Sequence, residues 1–174
     1  YKNLTQCRVD YYLTDLEILF SNSPFEVMKN QFQFLTVPNF SETLNLNSKA
    51  DFHALNIPEN LKNKNLVLKI SGAGKNSVAT YNPNQMDITI SENYGELRIL
   101  SNEAKKPLSS VYVKVYGEIE GGNEFVKDGY TDLRGIFNYT SVSGKPKKKN
   151  KKLAILIISE KNGASIQYTF PPVH

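Results

Sequence analysis

The sequence predicts an all-β protein built as two tandem β-sandwiches. Three observations carry that prediction. Apolar and polar side chains alternate with period two from end to end, and clusters of Gly, Pro and Asn separate the alternating runs. No window of a dozen residues shows the i, i+3, i+4, i+7 apolar face of an amphipathic helix. At 174 residues the chain is long enough for one large domain or two small ones, each burying its own core. Hydrophobic content of 40% and charged content of 22% are ordinary for a globular protein. Trp is absent, so 10 Tyr and 9 Phe carry the aromatic packing.

Taken in order, Val9, Tyr11 and Leu13 point one way, and Leu16, Ile18 and Phe20 continue in the opposite phase, as across a β-bulge. Phe32 and Phe34 alternate next, then Leu44 and Leu46, then Leu66, Leu68 and Ile70. His53 sits in an alternating stretch, and "PENLKNKN" (58–65) fits one short helical turn. Met86, Ile88 and Ile90 repeat the pattern, followed by Leu97 and Ile99. Turn clusters punctuate these runs at 21–24, 37–39, 72–76 and 82–84. The polar stretch Ser101 to Lys106 places a boundary near residue 100, giving units of 1–100 and 101–174. Beyond it, Val111, Val113 and Val115 form an inward row, and Phe125 and Ile136 continue the unit. "KLAILIIS" is apolar on both faces, as a central strand requires, and Ile166, Tyr168 and Phe170 close the pattern. About seven strands in the first unit and five or six in the second suit packed sheets of usual size.

The charge is unevenly spread. The net +4 rests on Lys145, Lys147, Lys148, Lys149, Lys151 and Lys152, and the chain without these six carries −2. This tract reads as an exposed loop that either keeps a sheet soluble or docks on an acidic partner such as a protein tail or anionic lipid. Nucleic acid fits poorly, because no stacking aromatics interleave the lysines and Arg is limited to Arg8, Arg98 and Arg134. The longest uninterrupted apolar run, Leu153 to Ile158, is far short of the roughly 20 residues of a transmembrane helix. Cys7 is the only cysteine, which excludes an intramolecular disulfide and a cysteine-based zinc site and points to a reducing compartment. The triplets Asn3-Leu-Thr5, Asn39-Phe-Ser41 and Asn138-Tyr-Thr140 keep an extracellular one open. The chain begins "YKN" without Met, as a piece of something longer would.

"KDGYTDLRGIFNY" (127–139) concentrates acidic and basic residues between glycines, which raises the question of a metal or catalytic loop. A calcium site needs more oxygen donors at close spacing than Asp128, Asp132 and Glu124 supply. A turn accounts for the same residues. Asp128-Gly129 is a turn dipeptide, Asp132 folds its carboxylate onto the following amides, and Gly135 takes the left-handed position.

"KPLSSVYVKVYGEI" followed by "FVKDGYTDLRGIFNY" resembles the transthyretin-like, carboxypeptidase-regulatory-like sandwich, in which a G-x-PL-x-x-V-x-V strand precedes a T-D-x-x-G-x-F turn. With "QCRVDYYLTDLEILFSNSPF" (6–25), "ENYGELRI" (92–99) and "LAILIIS" (153–159), nearly the whole chain resembles the C-terminal part of large multidomain proteins that carry macroglobulin-like modules. Ile136 and Asn138 depart from that pattern, whose residues there are polar or acidic. The resemblance implies Ig-like or macroglobulin-like sandwich modules, macroglobulin-like over 1–100 and carboxypeptidase-regulatory-like over 101–174. It supplies no catalytic residues.

Other chemistry falls away on spacing. "SGAGKNS" (71–77) is not a phosphate loop: Lys69 stands where its first Gly belongs, Asn76 replaces the Ser or Thr after Lys75, and no helix follows. The macroglobulin thioester needs a CGEQ motif, whereas Cys7 is followed by Arg8 and Val9. Neither His53 nor His174 is spaced to activate Cys7, and two histidines do not make a metal centre. The sequence therefore points to a non-enzymatic structural or interaction module without cofactor, presenting sheet edges to neighbouring domains or subunits, self-assembly included. A rival reading is a carbohydrate or ligand site using Tyr81, Tyr94, Tyr112 and Tyr116 on a sandwich face.

Overall fold

The computed structural model describes residues 4–27, 37–47, 52–140 and 150–172. The chain divides into two compact units, one of Tyr1–Leu19 with Glu26–Pro83, the other of Phe20–Phe25 with Asn84–His174.

The first unit holds strands β1 (Gln6–Leu13), β2 (Phe40–Asn45), β3 (Leu66–Gly72) and β4 (Lys75–Tyr81) in one antiparallel sheet of order β2-β1-β3-β4. Val9 and Tyr11 of β1 join Leu66 and Leu68 of β3 and Leu61 in its core. Leu61 closes a single 3-10 turn, Glu59–Leu61, within the "PENLKNKN" stretch. The segment 52–58, with His53, is irregular rather than an alternating strand, and its Leu55 and Ile57 pack on the core. Opposite Val9 and Tyr11, β1 buries Asp10, whose Oδ1 accepts Ser41 Oγ at 2.6 Å and Arg8 Nε at 2.7 Å. Burial pushes that carboxyl up, but the Ser41 hydrogen bond and the Arg8 guanidinium outweigh it and hold it below the usual aspartate range. The "SGAGKNS" stretch is the β3–β4 hairpin, turned by Ala73 and Gly74, both at positive φ (47° and 75°). Such a pair is what a two-residue hairpin turn matching strand twist requires.

One expectation fails after β1. Leu16, Ile18 and Phe20 do not prolong that strand across a bulge; they lie in helix α1 (Leu16–Asn22). Asp15 caps it, its Oδ1 accepting the Ile18 amide at 3.0 Å and its carbonyl the Leu19 amide at 3.1 Å. The spacing of Leu16 and Phe20 fits a strand by alternation and a helix by i, i+4. Both are buried while Ile18 is exposed, which is the helical solution.

The second unit is a sandwich of two sheets. One contains β7 (Tyr112–Ile119), β8 (Gly122–Tyr130), β10 (Lys152–Ser159) and β11 (Gly163–Thr169) in order β11-β10-β7-β8. The other contains β5 (Met86–Ser91), β6 (Glu96–Ser101) and β9 (Ile136–Asn138) in order β5-β6-β9. Val111, Val113 and Val115 meet Leu153, Ile155 and Ile157 from one sheet and Met86, Leu97, Ile99 and Phe137 from the other. A boundary near residue 100 would leave 86–100 in the first unit. These strands belong instead to the second, because β6 pairs with β9 through Leu97 and Phe137.

Strand β10 is apolar on both faces because both are covered. Leu153, Ile155 and Ile157 face the core, and Ala154 and Leu156 are equally buried on the outer side. There Phe20 sits edge-on against Tyr116 at 5.7 Å, and Phe25 packs on Tyr168 at 6.2 Å. Ala154 stands opposite both Tyr116 and Tyr168 in register, and its small side chain leaves room between the two rings.

Candidate interaction surface

The loop from β8 to β9 is built by Asp132. Its Oδ1 accepts the amides of Arg134 and Ile136, both at 2.9 Å, and its Oδ2 accepts Arg134 Nε at 3.0 Å and Nη2 at 2.8 Å. The Gly135 amide donates to the Asp132 carbonyl at 2.9 Å. These bonds, led by that from Ile136, hold the Asp132 carboxyl below the ordinary range. Both of its oxygens are committed to the loop. Gly135 lies at φ 72°, and a Cβ there would meet the Ile99 carbonyl oxygen at 2.3 Å.

Asp128 and Gly129 do not form the turn; they pair within β8 opposite Lys114 and Val113. Asp128 Oδ2 accepts the Tyr112 hydroxyl at 2.9 Å. Gly129 serves close approach, since a Cβ there would come within 3.0 Å of the Phe137 ring. Among the described residues no group of three or more His, Cys, Asp or Glu side chains is placed to hold a metal ion.

What the sheet presents outward is aromatic. On the face away from the core, Tyr112 packs on Tyr130 at 5.5 Å and Tyr116 on Phe125 at 5.8 Å, as cross-strand neighbours on β7 and β8. A register shift between Val115 and Tyr116 preserves this: the extra residue, Val126, turns inward against the core while Phe125 and Tyr130 stay outward. Phe125 is 47% exposed, Tyr130 66% and Leu133, in the loop just after β8, 88%. Sequence reasoning placed Phe125 in the strand pattern of the second unit and assigned none of the three to a surface site. The signal was the spacing of Phe125 and Tyr130, legible only once the bulge between them is known.

The other residues singled out in the sequence are scattered. Tyr81 belongs to the first unit and donates to the Lys62 carbonyl at 2.8 Å. Tyr94 is exposed on the 3-10 turn Glu92–Tyr94, whereas Tyr116 packs between Phe20 and Phe125. Lys151 is exposed, and Lys152 sets its Nζ 4.8 Å from the Tyr168 ring centre. Lys145, Lys147, Lys148 and Lys149 lie outside the described residues, as do His174 and Asn3. Asn39 and Asn138 use their side-chain oxygens internally, accepting the Leu13 and Thr140 amides.

Residues 85–174 match the family model described as the AbpF C-terminal domain, and residues 1–68 match that of the AbpF seventh immunoglobulin-like domain. Over 174 residues, 99% of its length, the chain is 37% identical to actin-binding protein F of Dictyostelium discoideum, and it spans 7% of that relative. Among solved structures it is similar to native α2-macroglobulin of Escherichia coli. The form spanning domains NIE-MG1 gives a TM-score of 0.60 at 12% identity, covering 95% of this chain and 84% of the other. The form spanning MG0-NIE-MG1 gives 0.61 at 13%, covering 95% and 55%. At such identity these two similarities show the fold, which is macroglobulin-like.

Proposed function

From the premise that the chain belongs to the family of the AbpF C-terminal domain, we propose that it is a non-enzymatic structural module that docks on actin filaments. The similarity to an actin-binding relative supports the choice of partner. The observation that carries the reading is the exposure of Phe125, Tyr130 and Leu133 along β8 and the loop that follows it. Exposed aromatic patches on folded domains mark protein contacts, and Tyr is enriched among residues that dominate binding energy.

A second reading rests on the six-lysine tract, where the exposed Lys151 ammonium meets no carboxylate among the described residues. It would dock the chain electrostatically on an acidic surface.

Co-sedimentation with filamentous actin tests both. Wild type should pellet with filaments, and Tyr130→Ser combined with Leu133→Ser should weaken binding by about 30-fold, the effect of losing a strong contact residue. Aromatic docking persists when salt rises well above physiological strength, whereas lysine docking is screened away. Equal pelleting of wild type and double variant would exclude the aromatic face. Absence from the pellet at every salt concentration would exclude filaments as the partner.

A further inference from the structure

The first unit holds an apolar cavity of about 400 Å³ at the end of its sheet where β3 turns into β4. Cys7 and Val9 of β1, Leu44 of β2 and Ile70 of β3 form its floor, and Leu55 from the irregular segment stands over it. The rim carries His53 and Lys75. The space is a cleft open to solvent on its His53 and Lys75 side. Its volume falls in the range of small-molecule sites, roughly 300 to 1,000 Å³.

Charge narrows the choice of ligand. Among the described residues no carboxylate lines the cavity, and the Lys75 ammonium and His53 imidazole at its mouth have no hydrogen-bond or ion-pair partner there. A hydrocarbon interior under an unpaired cation matches a molecule with an apolar chain and one anionic head. We propose that the cavity binds a free single-chain anionic amphiphile of fatty-acid type, the chain lying between Val9, Leu44 and Ile70 and the carboxylate at Lys75.

Cys7 is the only thiol of the chain and lies in the wall, so its alkylation by a neutral maleimide reports occupancy directly. With the full chain, dodecanoate should slow labelling at least fivefold, saturably and below its micelle concentration. Each two methylenes added from decanoate onward should tighten apparent affinity about tenfold, as burial of hydrocarbon requires. Lys75→Glu, at an exposed position, should weaken dodecanoate about tenfold and leave dodecanol unchanged. Unaltered labelling with dodecanoate would overturn the proposal, and so would equal protection by dodecyltrimethylammonium or insensitivity to Lys75→Glu. Phosphatidylglycerol vesicles free of fatty acid should give no protection. Protection by vesicles alone would mean a membrane-surface contact instead of a site for the free molecule.

Discussion

Gly135→Ala should destabilise the second unit by about 3 kcal/mol, lowering its melting temperature by roughly 15 °C for a domain of this size. Two costs combine. Gly135 sits at φ 72°, where a side chain with a Cβ is strained by roughly 1 to 2 kcal/mol. The added carbon would also lie 2.3 Å from the Ile99 carbonyl oxygen of β6 and 3.2 Å from the Leu108 nitrogen, a backbone amide hydrogen-bonded to that same oxygen. Those same groups are hydrogen-bonded across the site: the Ile99 amide donates to the Gly135 carbonyl at 2.8 Å, and the Leu108 amide to the Ile99 carbonyl at 3.0 Å. Relieving the clash therefore breaks bonds between β6 and the loop. Gly121 provides the control within the same unit, because its φ is 89° but a methyl group added there would meet nothing within 4 Å. Gly121→Ala should cost only the conformational part, about 1 kcal/mol. Exchange rates of the Ile99 and Tyr139 amides during denaturant titration read both variants. Equal losses at the two glycines would mean the contact at Ile99 is not as close as described.

Phe20→Ala should cost about 3 to 5 kcal/mol, the range for deleting a fully buried aromatic ring. Phe20 is wholly buried against Tyr116, and with Phe25 on Tyr168 it covers the outer side of β10, where Ala154 and Leu156 are buried as well. Removing the ring opens a cavity against Tyr116 on the outer side of the sheet. Ile18→Ala, two residues earlier, should change stability by less than about 0.5 kcal/mol, since that side chain is exposed. The pair of variants separates helix from strand at this point. In a strand continuing β1, Ile18 and Phe20 would share one face and respond alike.

Much of this architecture was legible because one sheet face is buried and the other is not. The alternation of Val111, Val113 and Val115 is the core row of β7, and the double-faced apolar run at 153–158 is the central strand β10. Strand β4 was not legible, because most of "KNSVATY" is exposed and no alternation is impressed on it. The unit boundary was misplaced because Met86, Ile88 and Ile90 fit either sandwich equally well. Only the long-range pairing of β6 with β9 assigns them, and nothing local encodes it. Asp128-Gly129 misled for a related reason. The glycine is required by the Phe137 ring from β9, and Asp132 with Gly135 makes the turn a few residues later. For the interaction surface, the tyrosines were visible as residues, but which of them face outward together depended on the bulge in β8.

Hydrogen exchange of the chain with and without saturating actin filaments tests the central claim most directly. Docking through the aromatic face should slow the amides of Gly122–Tyr130 and of the loop 131–135 by at least about tenfold, leaving β1 to β4 unchanged. Filaments that leave those amides exchanging at the free rate, or that protect only the first unit, would contradict the account.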